Sequence, residues 1–348
     1  VSREPGQLLF VGFQGTRVPD ELAALVAAGR IGGVVLFARN LESPEQVRGL
    51  VRELHAAAPD ETPLLVCIDQ EGGRVQRLRA PWTVWPSMRE LGDHDDPEAT
   101  RDVAAALARE LLELGIGLDF APVVDVATEP SNPAIGDRSF GDSPDRVARH
   151  AEAFIAGLQQ GGVAACAKHF PGHGDTTRDS HYELPRLSHD LERLRRVELP
   201  PFRAAIRAGV ASVMTAHIVY PALDPAHPAT LSPRVLRLLR EELGFGGVIF
   251  SDDLEMRAVA DAMPIHERVQ GSLEAGVDAV LVCSEHALWQ EALETLEALP
   301  SSRLSAPLGR VAALKERFAH APRAHATGVA ASGPPYAGHQ ALAARLRS

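Results

Sequence analysis

Cysteine is the first shortage. Only Cys67, Cys166 and Cys283 occur in 348 residues, and each sits in or beside an apolar run: LLVCID, AACAK and AVLVCS. An odd count in such settings excludes a disulfide framework and reads as buried structural thiols in a reducing compartment. Excess positive charge is also missing. The formal net charge is −11 and the pI about 5.7, which argues against nucleic acid and anionic membrane surfaces as partners. No apolar run approaches the ~20 residues that span a bilayer. QLLFVGF, near the start, lacks the basic flank and small-residue cleavage site of a secretory signal. A cytoplasmic protein with no membrane partner is expected. Several motifs are absent too. There is no HExxH or CxxC to announce zinc, no GxGxxG after the first apolar run, and no internal repeat.

What is there is alternation. Apolar runs at 8–13, 32–38, 63–69, 118–125, 163–170, 211–217, 246–253 and 279–284 are interleaved with helical patterns. Ser43-Pro44 and Ser143-Pro144 read as helix starts, and Gly161-Gly162 as a stop. Near-continuous apolar strands in β-then-α order imply parallel strands covered on both faces. Eight such units point to a single (β/α)8 TIM-type barrel over residues 1–320, and the length suits that fold, which takes about 250 residues plus insertions. A doubly wound open sheet is the structural alternative. Residues 321–348 shift to Ala, Gly and Pro and read as a tail, either a packed helix or loosely ordered.

The chemistry concentrates in residues 168–181, KHFPGHGDTTRDSH. Pro171, Gly172 and Gly174 make this a loop, and it leaves the carboxyl end of a buried strand, where α/β barrels keep their active sites. In Asp179-Ser180-His181 a carboxylate two residues from an imidazole can fix its tautomer, so His181 is a candidate proton shuttle. Other apolar runs end in Asp69, Asp125, His217, Ser251-Asp252-Asp253 and Ser284-Glu285. A barrel brings these ends together. The set suits glycoside hydrolysis, which needs a carboxylate on one face of the sugar and a proton donor at the leaving oxygen. Asp252 and Asp253 are the candidate carboxylates, the first aimed into the mouth and the second turned to orient its loop. Lys168, Arg77, Arg138 and Asp69 offer charge and hydrogen bonds to sugar hydroxyls or an N-acetyl group. Blander roles stand beside these: Arg138 pairing with Asp137 or Asp142, Arg77 as surface charge, Asp69 as a turn cap, His217 in the core and His173 shaping its loop. Trp82 and Trp85 are either a sugar platform or gap fillers between loops.

KHFPGHGDTTRDSH followed by YELP closely resembles the signature of bacterial β-N-acetylglucosaminidases of glycoside hydrolase family 3, of the NagZ type active in peptidoglycan recycling. IDQEGGRVQRL, GDRSFG and GVIFSDDLEM are similar to that family's motifs, in the same order, and the resemblance covers about residues 5–320. It implies a cofactor-free, retaining exo-enzyme with Asp252 as nucleophile, His181 as general acid/base and Asp179 as its partner. It further implies that Asp69, Arg77, Arg138, Lys168 and His169 hold the terminal N-acetylglucosamine. The implied substrate is N-acetylglucosamine β-1,4-linked to anhydro-N-acetylmuramic acid, with or without peptide; separately, a monomer is expected. Three other readings remain: a metal-dependent hydrolase using His169, His173, Asp175 and His181 as ligands, a family 3 enzyme acting on β-glucosides, and a non-catalytic sugar-binding barrel. The glycines of the focal loop also imply that His181 stands away from the sugar site when no ligand is bound.

Overall fold

The computed structural model describes residues 4–177, 180, 183–328 and 333–347. Eight parallel strands close into a barrel: β1 (Leu9–Val11), β2 (Gly33–Leu36), β3 (Leu65–Ile68), β4 (Leu118–Asp119), β5 (Ala164–Phe170), β6 (Ser212–Thr215), β7 (Val248–Asp253) and β8 (Ala279–Val282). Each strand pairs with its neighbours in sequence, and β8 closes on β1. The strands are almost wholly buried, because the lumen covers one face and helices the other. Inside, the Phe250 ring meets Phe10 edge-on at 4.9 Å and Phe120 at 5.5 Å, filling the lumen in place of a pore. The apolar run at 118–125 yields only a two-residue strand. Pro122 has no N–H for a ladder, and pairing resumes as a single bridge from Val123 to Lys168.

Helix starts follow local chemistry. Ser43 caps Pro44–Ala57 by accepting from the Gln46 N–H at 3.2 Å, and Asp96 caps Pro97–Leu114. Ser143 stands at the N-cap of Pro144–Gln160, but its side chain makes no capping bond. The helix Ser301–Phe318 is not evident in the sequence, where Pro307 and Gly309 interrupt the pattern. Its Leu304, Leu308, Val311, Leu314 and Phe318 nonetheless fall on one buried face. Burying five such side chains outweighs an interior proline's cost of about 3 kcal/mol.

Two more helices follow, His320–Thr327 and Ala337–Arg345. The first packs against Pro44–Ala57 and Pro97–Leu114, over Gly115, where an added Cβ would lie 2.5 Å from that of Ala326. The second is tied down by His339 Nδ1 to Glu110 Oε1 at 2.8 Å and by the Tyr336 hydroxyl donating to Glu113 at 2.8 Å. The cysteines are all buried and unpaired. Trp82 and Trp85 are buried core residues and line no sugar cavity, so the platform reading is set aside.

Candidate active site

A cavity of about 340 Å³ opens at the carboxyl ends of the strands. Phe120 and Leu281 give it an apolar floor, and its polar wall is assembled from four separate strand ends.

The first wall comes directly after β3. The chain turns into a short hairpin, Gln70–Gly72 against Val75–Gln76. Gly72 and Gly73 take φ of 97° and 56°, which side chains rarely adopt, and a Cβ on Gly72 would lie 2.2 Å from the Pro86 carbonyl. Gln70 stitches the hairpin shut. Its Nε2 donates to Leu78 O at 2.9 Å, while its Oε1 accepts from the N–H groups of Arg77 and Leu78 at 2.8 and 3.0 Å. Asp69, Glu71 and Arg77 are thereby presented to the cavity.

Lys168, near the end of β5, stands between the two carboxylates. Its Nζ lies 2.9 Å from Asp69 Oδ1 and 2.7 Å from Glu71 Oε1. Asp69 Oδ2 accepts from Arg77 at 3.0 Å. Arg138 grips Glu71 with two parallel bonds of 2.8 Å each, and its third nitrogen donates to Ala134 O. Arg138 therefore pairs with neither Asp137, which is held by Arg74 at 2.7 Å, nor Asp142. Burial alone would raise the Glu71 carboxyl, but Arg138 and Lys168 outweigh it and hold it at about 2. Lys168 and Arg77 likewise hold Asp69 well below the usual carboxylate range against the opposing effect of burial. Burial would lower the Lys168 ammonium, yet Asp69 and Glu71 raise it above its ordinary value. Beneath this cluster, Asp119 forms no ion pair among the described residues, though the nearby Lys168 charge opposes its burial. It accepts from the Gln70 N–H at 2.8 Å, and burial pushes it up to about 8.

His169 faces the cavity beside Arg138, with Nε2 3.4 Å from the guanidinium. Its Nδ1 lies 2.8 Å from Asp125 Oδ2, which sets the proton on Nδ1 and leaves Nε2 an acceptor. Asp125 also accepts from the backbone N–H of His169 and of His173. His173 is a loop-shaping residue. Its ring nitrogens meet Ser180 at 3.0 Å and Thr176 at 2.9 Å, and burial pushes it down to about 4. Asp175 turns to Thr128 at 2.6 Å and His189 at 3.0 Å. Three of the four residues of the metal reading are thus engaged elsewhere. Among the described residues no cluster of three or more His, Cys, Asp or Glu is arranged to hold a metal ion.

The opposite wall is the end of β7. Asp252 and Asp253 both line the cavity and are half-buried. Asp252 Oδ1 accepts from the Asp253 N–H at 2.8 Å. Asp253 Oδ1 accepts from the Glu255 N–H at 3.1 Å. Burial, then the nearby Glu255, pushes Asp253 up to about 8, so the two adjacent carboxyls sit in different environments. His217 lies below them, wholly buried, bonded to Thr230 and the Asp253 carbonyl, which is the core role. Asp179 and His181 lie outside the described residues, as does the expected unliganded position of His181.

Asp252, Asp69, Arg77, Arg138, Lys168 and His169 therefore share one cavity. Glu71 belongs with them, although sequence reasoning assigned it no role. The available signal was its place two residues after Asp69, the spacing that returns an extended chain to the same face. Asp125, a strand end in the sequence, is the anchor of His169 in the structure.

A family model for the glycosyl hydrolase family 3 N terminal domain matches residues 1–314. A "Beta-hexosaminidase" of Alkalilimnicola ehrlichii is 43% identical over 283 residues, 79% of this chain and 80% of that protein. A family 3 β-N-acetylglucosaminidase from Paenibacillus sp. strain FPU-7 superposes with TM-score 0.92 at 41% identity, covering 99% of this chain and 68% of the other. NagZ from Neisseria gonorrhoeae, solved with N-trifluoroacetyl-D-glucosamine, superposes with TM-score 0.82 at 36% identity and 98% coverage of both chains. A barrel with paired carboxylates at its mouth, matched over nine-tenths of its length, belongs to glycosyl hydrolase family 3.

Proposed function

We propose that this β-N-acetylhexosaminidase is a retaining exo-β-N-acetylglucosaminidase that works through a covalent glycosyl-enzyme intermediate. Its substrate is N-acetylglucosamine β-1,4-linked to anhydro-N-acetylmuramic acid, with or without peptide, in the cytoplasm. The observation that carries the reading is Asp252, next to last in β7, which lines a cavity whose other wall is the Asp69–Lys168–Glu71–Arg138 cluster. A carboxylate there reaches a sugar held by that wall. The Asp252 oxygen bonds to the anomeric carbon as the bond to the leaving oxygen breaks, and His181, oriented by Asp179, protonates that oxygen. His181 then takes a proton from water, whose oxygen displaces Asp252 and restores the starting anomeric configuration.

The binding wall is suited to hydroxyl groups. Lys168 has three N–H donors, two of them used on Asp69 and Glu71, which leaves one for the ligand. His169 Nε2 accepts, and Asp69 keeps lone pairs beyond its two contacts. Because the cluster is already ion-paired, it offers these groups at fixed positions, with little rearrangement on binding. Three buried unpaired thiols fit a reducing compartment, and no described helix is long and apolar enough to cross a membrane.

Asp252→Ala should lower turnover of an aryl N-acetyl-β-glucosaminide by more than about 10⁴-fold, the scale seen when a nucleophile is removed. Initial release of the β-anomer by the native enzyme, followed by proton NMR, tests retention. Full activity in Asp252→Ala, or first release of the α-anomer, would sink the mechanism. Faster cleavage of aryl β-glucosides than of N-acetylglucosaminides would move the substrate assignment to glucosides.

A further inference from the structure

Of the 35 basic residues only Lys168 and Lys315 are lysine. Both are buried, at opposite ends of the barrel. Lys315 comes from the helix Ser301–Phe318 and lines a cavity of about 520 Å³ with Gln7, which precedes β1, and Thr62 and Pro63, which precede β3. This is the amino-terminal face, remote from the sugar cavity.

Lys168 has two carboxylates. Lys315 has none: its Nζ donates to Gln7 Oε1, and no ion pair joins it to a carboxylate among the described residues. The Gln7 amide is held in place, since its Nε2 donates to Gly29 O at 2.7 Å and Ile31 O at 3.0 Å. The lysine therefore meets a neutral acceptor. Burial without a counter-ion disfavours the ammonium, and it pushes the amine down to about 7 against the opposing effect of the nearby Cys67. An unprotonated lysine is a nucleophile, and here both members of the Gln7–Lys315 pair line an open cavity. Thr62 Oγ1, also in that wall, is buried with no protein hydrogen-bond partner.

We propose that Lys315 is a covalent site for small uncharged carbonyl compounds entering the amino-terminal cavity. The nitrogen lone pair forms a bond to the carbonyl carbon while the carbonyl oxygen takes a proton. Loss of that oxygen with both amine hydrogens, as water, leaves a neutral imine. Exposed Asp60, Glu61 and Glu316 at the rim disfavour phosphorylated or carboxylated carbonyl compounds.

The test is reductive labelling of the full chain with glyceraldehyde and cyanoborohydride at pH 7, followed by peptide mapping. With two lysines in the chain, the map is unambiguous. Lys315 should be modified at least about a hundredfold faster than Lys168, since the unprotonated fraction changes tenfold per unit of pKa. Gln7→Glu supplies the missing carboxylate and should slow Lys315 labelling at least about tenfold. An unmodified Lys315 in a sample whose α-amine is labelled would overturn the proposal. Labelling of Gln7→Glu as fast as the native chain would overturn its physical basis. Should that variant not fold, the native peptide map decides alone.

Discussion

At the carboxyl end of the barrel, Lys168 is clasped between Asp69 and Glu71, with Arg77 and Arg138 completing the cluster. At the amino end, Lys315 has an amide oxygen and, among the described residues, no carboxylate. The same side chain is buried at both ends of one fold, yet the solutions differ. The mouth keeps its lysine charged by surrounding it with carboxylates, which raise it above its ordinary value despite burial. The base relieves the same desolvation by letting the proton go. A charge-compensated cluster costs stability relative to apolar packing but holds donors and acceptors rigidly for a ligand. A deprotonated amine requires no partners and keeps its lone pair.

The sharpest way to break this contrast is Lys168→Met. It leaves the buried Glu71 and the half-buried Asp69 short of their shared counter-ion, and removing one partner of a buried pair costs about 3–5 kcal/mol. Urea unfolding should show that loss, and kcat/KM on the aryl N-acetylglucosaminide should fall by about a hundred- to a thousandfold. Native stability in this variant would mean the cluster is not coupled as drawn. Glu71→Gln is milder, because it keeps the shape and removes the charge. Weakening the charged bonds from Arg138 and Lys168 should cost about 1.5–3 kcal/mol, seen mainly as a higher KM if Glu71 acts by holding the binding wall.

The pH dependence of stability separates the two ends by window: both contributions make stability rise with pH, at the base between about 7 and 10.5 and at the mouth between about 2 and 4.5. The folded Lys315 amine titrates at about 7, against 10.5 ordinarily, so between those values the unfolded chain binds the extra proton. Its contribution makes stability rise with pH through that window by up to about 1.4 kcal/mol per unit. At the mouth, Glu71 falls from 4.5 to about 2, so its contribution is complete above about pH 4.5 and is lost as pH drops through 2. Comparing native and Lys315→Met chains from pH 7 to 9 isolates the first effect; equal slopes would show a charged Lys315. The smallest change is expected for Lys315→Met at pH 7 itself. Relief of the lysine's desolvation there exceeds the cost of about 1–3 kcal/mol for an unsatisfied Gln7 oxygen, so urea unfolding should find the variant slightly more stable than the native chain.

Much of the architecture was legible because barrels write themselves in period and order. All eight apolar runs became strands, since a strand buried on both faces has little room for polar residues. The helix Ser301–Phe318 was hidden because its proline speaks against helix locally, while its apolar face is satisfied only by the barrel base. Ser43 and Ser143 look alike in sequence, yet only the first side chain caps its helix. Within the site, the residues at strand ends were readable from position. Glu71 carried only its two-residue spacing from Asp69, because its hairpin closes through Gln70.

The linear order of residues was enough to determine a closed parallel barrel, the end of it that carries the polar residues, and the family motifs placed there. Those features depend on local periodicity and on which residue follows each strand. Which charges meet was decided only in three dimensions. Arg138 reaches Glu71, 67 positions away, and passes over its own neighbour Asp137, while Lys168 gains two carboxylates and Lys315 an amide. Ion pairing depends on distance across the lumen and on the loss of water, and neither quantity is written along the chain.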